Sequence, residues 1–491
     1  MGFSITTGLS YLFIGRLSSQ ILVSLFGIIA AATFTKSDFG LFQQLMSFVL
    51  VSATLARLGL DVIAQRELAK ILGSKSELTF LNNKLYFVKF FLTLLVTTPV
   101  IFLLLAYFYL GENALSLFLF LFCYTVCMVM NKYAFDAILM YSLNVKSSII
   151  FNLGLNFLKV FLILYFYLYK IADIKSILLF LFLCELLLLI IFFFYQKIYL
   201  FSIKIWKFNH FTKENIKIAW HQYGDIFFSL LSTFPIGILV LSSFADIELI
   251  ASYAFIMSIC IAIFSGGSTN ALLEPILNSL MLNKLHNSNS NENKKIVRDI
   301  LSNWTVLNIF SNMLYGASLF FLITFLNDYF LSNKYNSEVY AIFIFYLLYS
   351  LTNLIYPLAS WGLINKRLDL VRNSSFYSGL LNILLIIVLT KCFGLYGALI
   401  GTIIANIFRA SFLYLKLKSV NIFSNIATIL KTEFFTLILL SAMSITPIFI
   451  KNLITNDFYF YITGLFLITS MTYVVLKFYN KAKPRSFNYL S

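Results

Sequence analysis

The chain has 491 residues, 60% of them hydrophobic and 11% charged, with a mean hydropathy of +0.89 and a formal net charge of +16. That composition excludes a soluble globular domain. The positive balance requires no nucleic acid, because most Lys and Arg fall between apolar runs, where anionic lipid headgroups attract them.

A membrane-spanning helix needs about 20 predominantly apolar residues. In chain order the sequence predicts about fourteen such runs: 10–34, 39–64, 86–110, 114–134, 148–169, 176–196, 218–244, 249–281, 302–326, 339–363, 375–391, 394–415, 432–450 and 458–478. The first is too long, and lacks a small-residue cleavage site, for a removed signal peptide. The run at 249–281 exceeds one simple crossing and is expected to bend near Gly266-Gly267. The stretch His286–Asn293 is polar and reads as a flexible linker. The expected fold is an all-α polytopic membrane protein.

Lys and Arg placement sets the orientation. With the N-terminus in the cytoplasm, 25 of the 36 cations fall on inside segments. Six lie outside: Lys36, Lys170, Lys175, Lys334, Lys391 and Lys451. An even number of spans then puts both termini in the cytoplasm. External connections are short, the longest being about 327–338. Trp206, Trp220, Trp304 and Trp361 fall near cytoplasmic span ends and read as an interfacial belt. Cys123, Cys127, Cys184, Cys260 and Cys392 lie in or at the ends of spans and suggest no external disulfide framework.

A faint internal repeat lays Gly15-Arg16 on Gly224-Asp225, and Leu45-Met46-Ser47 near Ile256-Met257-Ser258. It suggests two six-helix bundles, 1–200 and 201–420, followed by two further helices and a tail over 421–491. Parallel repeats of this kind are a common transporter plan, with the cargo site between the halves.

Four cations lie inside apolar runs: Arg16, Arg57, Lys159 and Arg409. A cation at the bilayer centre costs about 2.5–3.5 kcal/mol on insertion scales, so their retention points to a polar or anionic cargo. At the helical rise, Arg16, Arg57 and Arg409 lie roughly 9–10 Å in from the cytoplasmic span ends; Lys159 lies near mid-span. Guanidinium suits phosphate because its fork of donors matches two oxygens. Each cation also has a structural alternative. Arg57 has Asp61 one turn on, Arg16 and Arg409 can snorkel to the interface, and Lys159 can pair with Glu185 on the next span. The buried acids Asp61, Glu185, Asp225 and Glu274 serve either ion coupling or charge balance. His210, His221 and His286 are scattered, and the sequence shows neither a metal-ligand cluster nor a nucleotide or nucleophile motif. No metal or other cofactor is expected.

Several short motifs resemble the polysaccharide-exporter (Wzx-type flippase) branch of the multidrug/oligosaccharidyl-lipid/polysaccharide transporter superfamily. They are Asp38-Phe39-Gly40-Leu41-Phe42, Leu58-Gly59-Leu60-Asp61, Arg66-Glu67-Leu68-Ala69, Gly379 with Asn382, and Phe393-Gly394-Leu395-Tyr396-Gly397-Ala398. The resemblance implies alternating access in the bacterial inner membrane. The implied cargo is an undecaprenyl-diphosphate-linked oligosaccharide, carried to the outer leaflet for O-antigen or capsule assembly. It also implies membrane lipids, a polysaccharide polymerase and chain-length machinery as partners. An ion-coupled drug or metabolite exporter of the same superfamily is the alternative. A membrane polymerase or glycosyltransferase is disfavoured, because the external loops are too short to carry catalytic residues.

If Arg57 recognises phosphate, Arg57→Ala impairs transport more than Arg57→Lys at equal expression. Equal activity of Arg57→Ala and the parent assigns Arg57 to snorkelling or to an Asp61 pair.

Overall fold

The computed structural model describes residues 5–57, 93–106, 115–132, 145–171, 173–196, 223–224, 227–267, 291–331, 334–335, 338–342, 345, 368–416, 431, 433–453 and 457–482. Among them no strand occurs. The chain forms two compact units, Met1–Phe255 and Ile256–Ser491. Five helical stretches among the described residues are long and apolar enough to cross a membrane: Lys36–Ala56, Ile149–Leu168, Ile174–Phe192, Asp369–Lys416 and Phe434–Lys451.

In the first unit, α1 (Ile5–Thr33) packs chiefly on α5 (Val145–Leu168). Helix α2 (Lys36–Ala56) packs on α4 (Leu115–Lys132) and on the short α7 (Phe234–Leu241). Helix α6 (Ile174–Gln196) joins α4 and α5, and α8 (Ile247–Gly267) follows α7. Helix α3 (Thr93–Ala106) drives the buried Phe102 ring between α2 and α4, where it meets Phe48, Phe118 and Phe122 at 5.2–5.3 Å between centroids. Edge-on aromatic packing of this kind adds to simple area burial.

Local chemistry sets the ends of α2. Thr35 is its N-cap, accepting from the Asp38 N–H at 3.1 Å and donating to Asp38 Oδ2 at 2.6 Å. The Thr35 oxygen thereby serves one orphan N–H of the first turn. At the other end, Thr97 Oγ1 donates to the Ala56 carbonyl at 3.1 Å and the Tyr223 hydroxyl to the Leu55 carbonyl at 3.0 Å. Helix α2 is described to Ala56, with Arg57 as its C-cap; the rest of the run expected to reach residue 64 lies outside the described residues. Asp61 lies outside the described residues.

Two expectations are corrected. The run 218–244 is broken, with turns at Leu231–Thr233 and an extended Thr233 before α7. Pro235 explains the break, because it has no N–H to donate and its ring clashes with the preceding turn. The linker reading of His286–Asn293 fails at its end, because Asn291–Asn293 begin α9 (Asn291–Tyr329). At about 58 Å, α9 exceeds the hydrocarbon thickness, so its polar start needs no burial in lipid.

In the second unit, α9 packs against α11 (Phe434–Leu453) and α12 (Asp457–Ala482), which also pack on each other. Helix α10 (Leu368–Lys416) reverses at Gly394, whose φ of 56° and ψ of −134° suit a residue without a Cβ. The two arms fold back tightly, since a Cβ on Gly397 would collide with the Leu389 carbonyl. The motif around Phe393–Ala398 is thus a helical hairpin, matching the two separate runs read from the sequence.

Gly40, in the Asp38–Phe42 motif, has a similar role. A Cβ there would run into the Ile247 carbonyl at the start of α8. Gly154 on α5 has nothing within 4 Å. Gly40→Ala should therefore lower stability by about 1–3 kcal/mol through overpacking, whereas Gly154→Ala should raise it by about 0.5–1 kcal/mol. Thermal unfolding of the purified variants checks the opposite signs.

Candidate functional site

The turn between α5 and α6 fixes the register of the site. Helix α5 ends with Lys170 at φ 55°, the Ile171 N–H bonded to the Phe166 carbonyl at 3.0 Å and the Lys170 N–H to the Tyr167 carbonyl at 3.2 Å. This is a Schellman closure with lysine in the place usually held by glycine. Asp173 then caps α6, accepting from the Ser176 hydroxyl at 2.5 Å and its N–H at 3.1 Å. The Ser176 hydroxyl bond is the main cause holding the Asp173 carboxyl below its ordinary range.

Lys159 lies nine residues before the end of α5 and Glu185 eleven after the start of α6. At the helical rise these are about 14 and 17 Å from the turn, so the hairpin sets the two side chains near each other. Lys159 Nζ donates to Glu185 Oε1 at 2.6 Å. The second carboxylate oxygen is also taken: Asn131 Nδ2, from α4, donates to Glu185 Oε2 at 2.6 Å and to the Glu185 carbonyl at 2.7 Å. The ammonium lies 5.8 Å from the centre of the buried Tyr124 ring. The Glu185 side chain is 2% exposed and that of Lys159 16%.

These groups line a cavity of about 350 Å³ whose walls come from α1, α2, α4, α5 and α6. Helix α5 contributes Asn152, Asn156 and Lys159, at spacings of four and three that place them on one face. Asn156 Nδ2 donates to Ser19 Oγ of α1 at 2.6 Å. The remaining wall is mainly apolar, including Phe26, Met46, Leu50 and Leu155.

The other expected site residues are placed as follows. Arg57 is half-buried at the end of α2. Arg16 lies in α1, its side chain outside the described residues. Arg409 is half-buried in the second arm of α10, within the other unit. It follows Thr402 and Asn406 at helical spacing, and Asn406 Nδ2 donates to the Thr402 carbonyl at 2.9 Å. The first arm of that hairpin carries a buried polar stripe of its own, Ser374, Ser378 and Asn382. Asp225 and Glu274 lie outside the described residues, as do Trp206, Trp220, Trp361, the Trp304 side chain and the three histidines. The five cysteines are free thiols.

Lys159 and Glu185 are therefore the expected pair that the structure joins. Sequence reasoning missed Tyr124, Asn131, Asn152 and Asn156. The spacing of Asn152, Asn156 and Lys159 within an apolar run was the available signal for the stripe. Asn131 carried no such signal, because its contact with Glu185 depends on how α4 packs against α6.

The site is thus a mainly apolar cavity with a buried ion pair on its wall, inside a bundle of apolar helices, and solved structures place the fold. No protein-family model matches the chain, and no curated protein sequence matches it. The structure of the lipid II flippase MurJ in an inward closed conformation covers 98% of this chain and 100% of its own, with a TM-score of 0.54 and 15% identity. A MATE structure in the bent conformation covers 88% of this chain and 97% of its own, at TM-score 0.54 and 14% identity. An inward-facing multidrug resistance MATE family transporter of the MOP superfamily covers 86% and 99%, at TM-score 0.54 and 13% identity. The chain has the all-α, multi-pass membrane fold of MOP-superfamily transporters. These neighbours are flippases and transporters, not enzymes.

Breaking a buried ion pair leaves an uncompensated charge, whereas replacing both partners by apolar residues is often neutral. Lys159→Met alone is expected to lower stability by about 3–5 kcal/mol, and Lys159→Met with Glu185→Leu to restore most of it. Thermal unfolding of the three purified proteins tests this; equal loss in single and double variants contradicts it.

Proposed function

We propose that this protein is a flippase. It carries an undecaprenyl-diphosphate-linked oligosaccharide from the cytoplasmic to the outer leaflet of the bacterial inner membrane, for O-antigen or capsule assembly. The observation that carries the reading is the cavity in the first unit: charged and amide groups held at mid-span inside a bundle whose outer faces are apolar. A carrier of an amphiphile needs this division, because the polar head requires partners where lipid supplies none, while the tail stays in the bilayer. The fold shared with a lipid II flippase supports it.

In this reading the halves 1–200 and 201–420 alternate access about the cargo, and the helices of 421–491 flank its lipid tail. Both termini are cytoplasmic. Arg16, Arg57, Lys159 and Arg409 serve the diphosphate and sugar, the arginines by bidentate donation. Asp61, Asp225 and Glu274 supply charge balance or ion coupling. A polysaccharide polymerase and chain-length machinery receive the product.

A second reading, an ion-coupled drug or metabolite exporter, draws on the MATE neighbours and on a buried acid, Glu185, at the cavity. Leaflet-resolved labelling separates the two. In cells lacking this protein, lipid-linked repeat units should accumulate on the cytoplasmic face and surface glycan should be lost. Normal outward delivery in those cells overturns the flippase reading.

A further inference from the structure

Helix α2 is touched at both ends by chain that the two-halves reading assigns to the other half. Tyr223, α7 and the start of α8 follow residue 200, yet they lie in the same compact unit as α2. The two ends of this seam are built differently.

At one end Gly40 lies so close to the Ile247 carbonyl that a Cβ would collide with it. Phe39 and Phe42 on α2, and Ile250 and Ala251 on α8, are buried. Helix α8 is in turn pressed onto α7, since a Cβ on Gly237 would lie 2.6 Å from the Tyr253 hydroxyl oxygen. Close packing of this kind loses its contacts outright when it parts. At the other end the Tyr223 hydroxyl donates to the Leu55 carbonyl at 3.0 Å, and both residues are half-buried. The Leu55 carbonyl also accepts from the Arg57 N–H. Release of the phenol therefore strands no acceptor, and water can take the hydroxyl. A hydrogen bond exchanged for water has only a small net free energy, so this end is the more easily parted.

The cavity lies between the two ends. Met46 and Leu50 are on its wall. Along α2, Met46 is about 9 Å from Gly40, and Leu50 about 8 Å from Leu55. In the orientation that Lys and Arg placement predicts, the Gly40 end is external and the Leu55 end cytoplasmic.

We propose that Tyr223 is a releasable latch: its bond to Leu55 ties the seam together at the cytoplasmic end, and breaking it widens access to the cavity from that side while the Gly40–Ile247 packing holds the outer end. The inference rests on the reading of two halves that alternate about the cargo.

The test is thiol labelling of the full chain in membrane vesicles, with Leu50→Cys as a reporter on the cavity wall. A membrane-impermeant maleimide is applied to inside-out and to right-side-out vesicles. Modification of residue 50 is followed by peptide mass spectrometry, so the five native cysteines stay in place. Tyr223→Phe keeps the ring and removes only the hydroxyl. It should speed labelling from the cytoplasmic side about fivefold, the weight of one net hydrogen bond, and leave the outer-side rate unchanged. Gly40→Ala forces the other end apart and should raise the outer-side rate instead. The latch is overturned if Tyr223→Phe leaves the cytoplasmic-side rate unchanged, or if it raises the rates from both sides alike. No cargo enters this measurement, so its failure leaves the flippase reading standing; that reading falls separately, to normal outward delivery in cells lacking the protein.

Discussion

A charge at mid-span in an apolar bundle must find its partner within the protein, because the hydrocarbon offers none. In the first unit that constraint is met by Lys159 and Glu185, and much of the local arrangement follows from it. The α5–α6 turn sets the register of the two arms, so that lysine and carboxylate meet at 2.6 Å. Helix α4 supplies Asn131 to the other carboxylate oxygen and to the backbone beneath it. Helix α1 closes the stripe above through Ser19 and Asn156. An ion pair of this kind adds little stability over a well-packed apolar replacement. The pair lies on the wall of the first unit's cavity.

The same unit shows how backbone irregularities are accommodated. The interruption at Leu231–Thr233 is absorbed locally, with the Thr233 hydroxyl donating to the Leu230 carbonyl at 2.6 Å. Non-helical backbone at membrane depth is tolerated where protein groups satisfy it. In the second unit, the reversal at Gly394 and the close approach at Gly397 let two short runs pack arm against arm. Both devices depend on single residues, a proline and glycines, set in otherwise featureless apolar sequence.

The architecture was largely legible because hydropathy encodes it directly. The runs at 148–169, 176–196, 432–450 and 458–478 correspond to α5, α6, α11 and α12 with shifts of a few residues. The break in 218–244 was missed although Pro235 stood in plain sight, since mean hydropathy does not register a missing N–H donor. The start of α9 was missed for the opposite reason: Asn and Glu argue for a loop, yet a helix extending past the bilayer keeps them in water. The Lys159–Glu185 pair was legible because a short turn makes hairpin register a matter of counting. The Asn131 clamp was not, since it depends on a tertiary contact between α4 and α6 that no local pattern announces. The contacts of Thr97 and Tyr223 with the last carbonyls of α2 were likewise not legible, since both residues are distant in sequence.

Translocation by the purified chain tests the central claim most directly. A fluorescent lipid-linked oligosaccharide is incorporated into proteoliposomes and quenched from outside by an impermeant reductant. The account predicts that quenching extends to molecules that began in the inner leaflet, at a rate well above that of protein-free vesicles. Quenching confined to the outer leaflet, as in protein-free vesicles, with the protein folded and inserted, would contradict it.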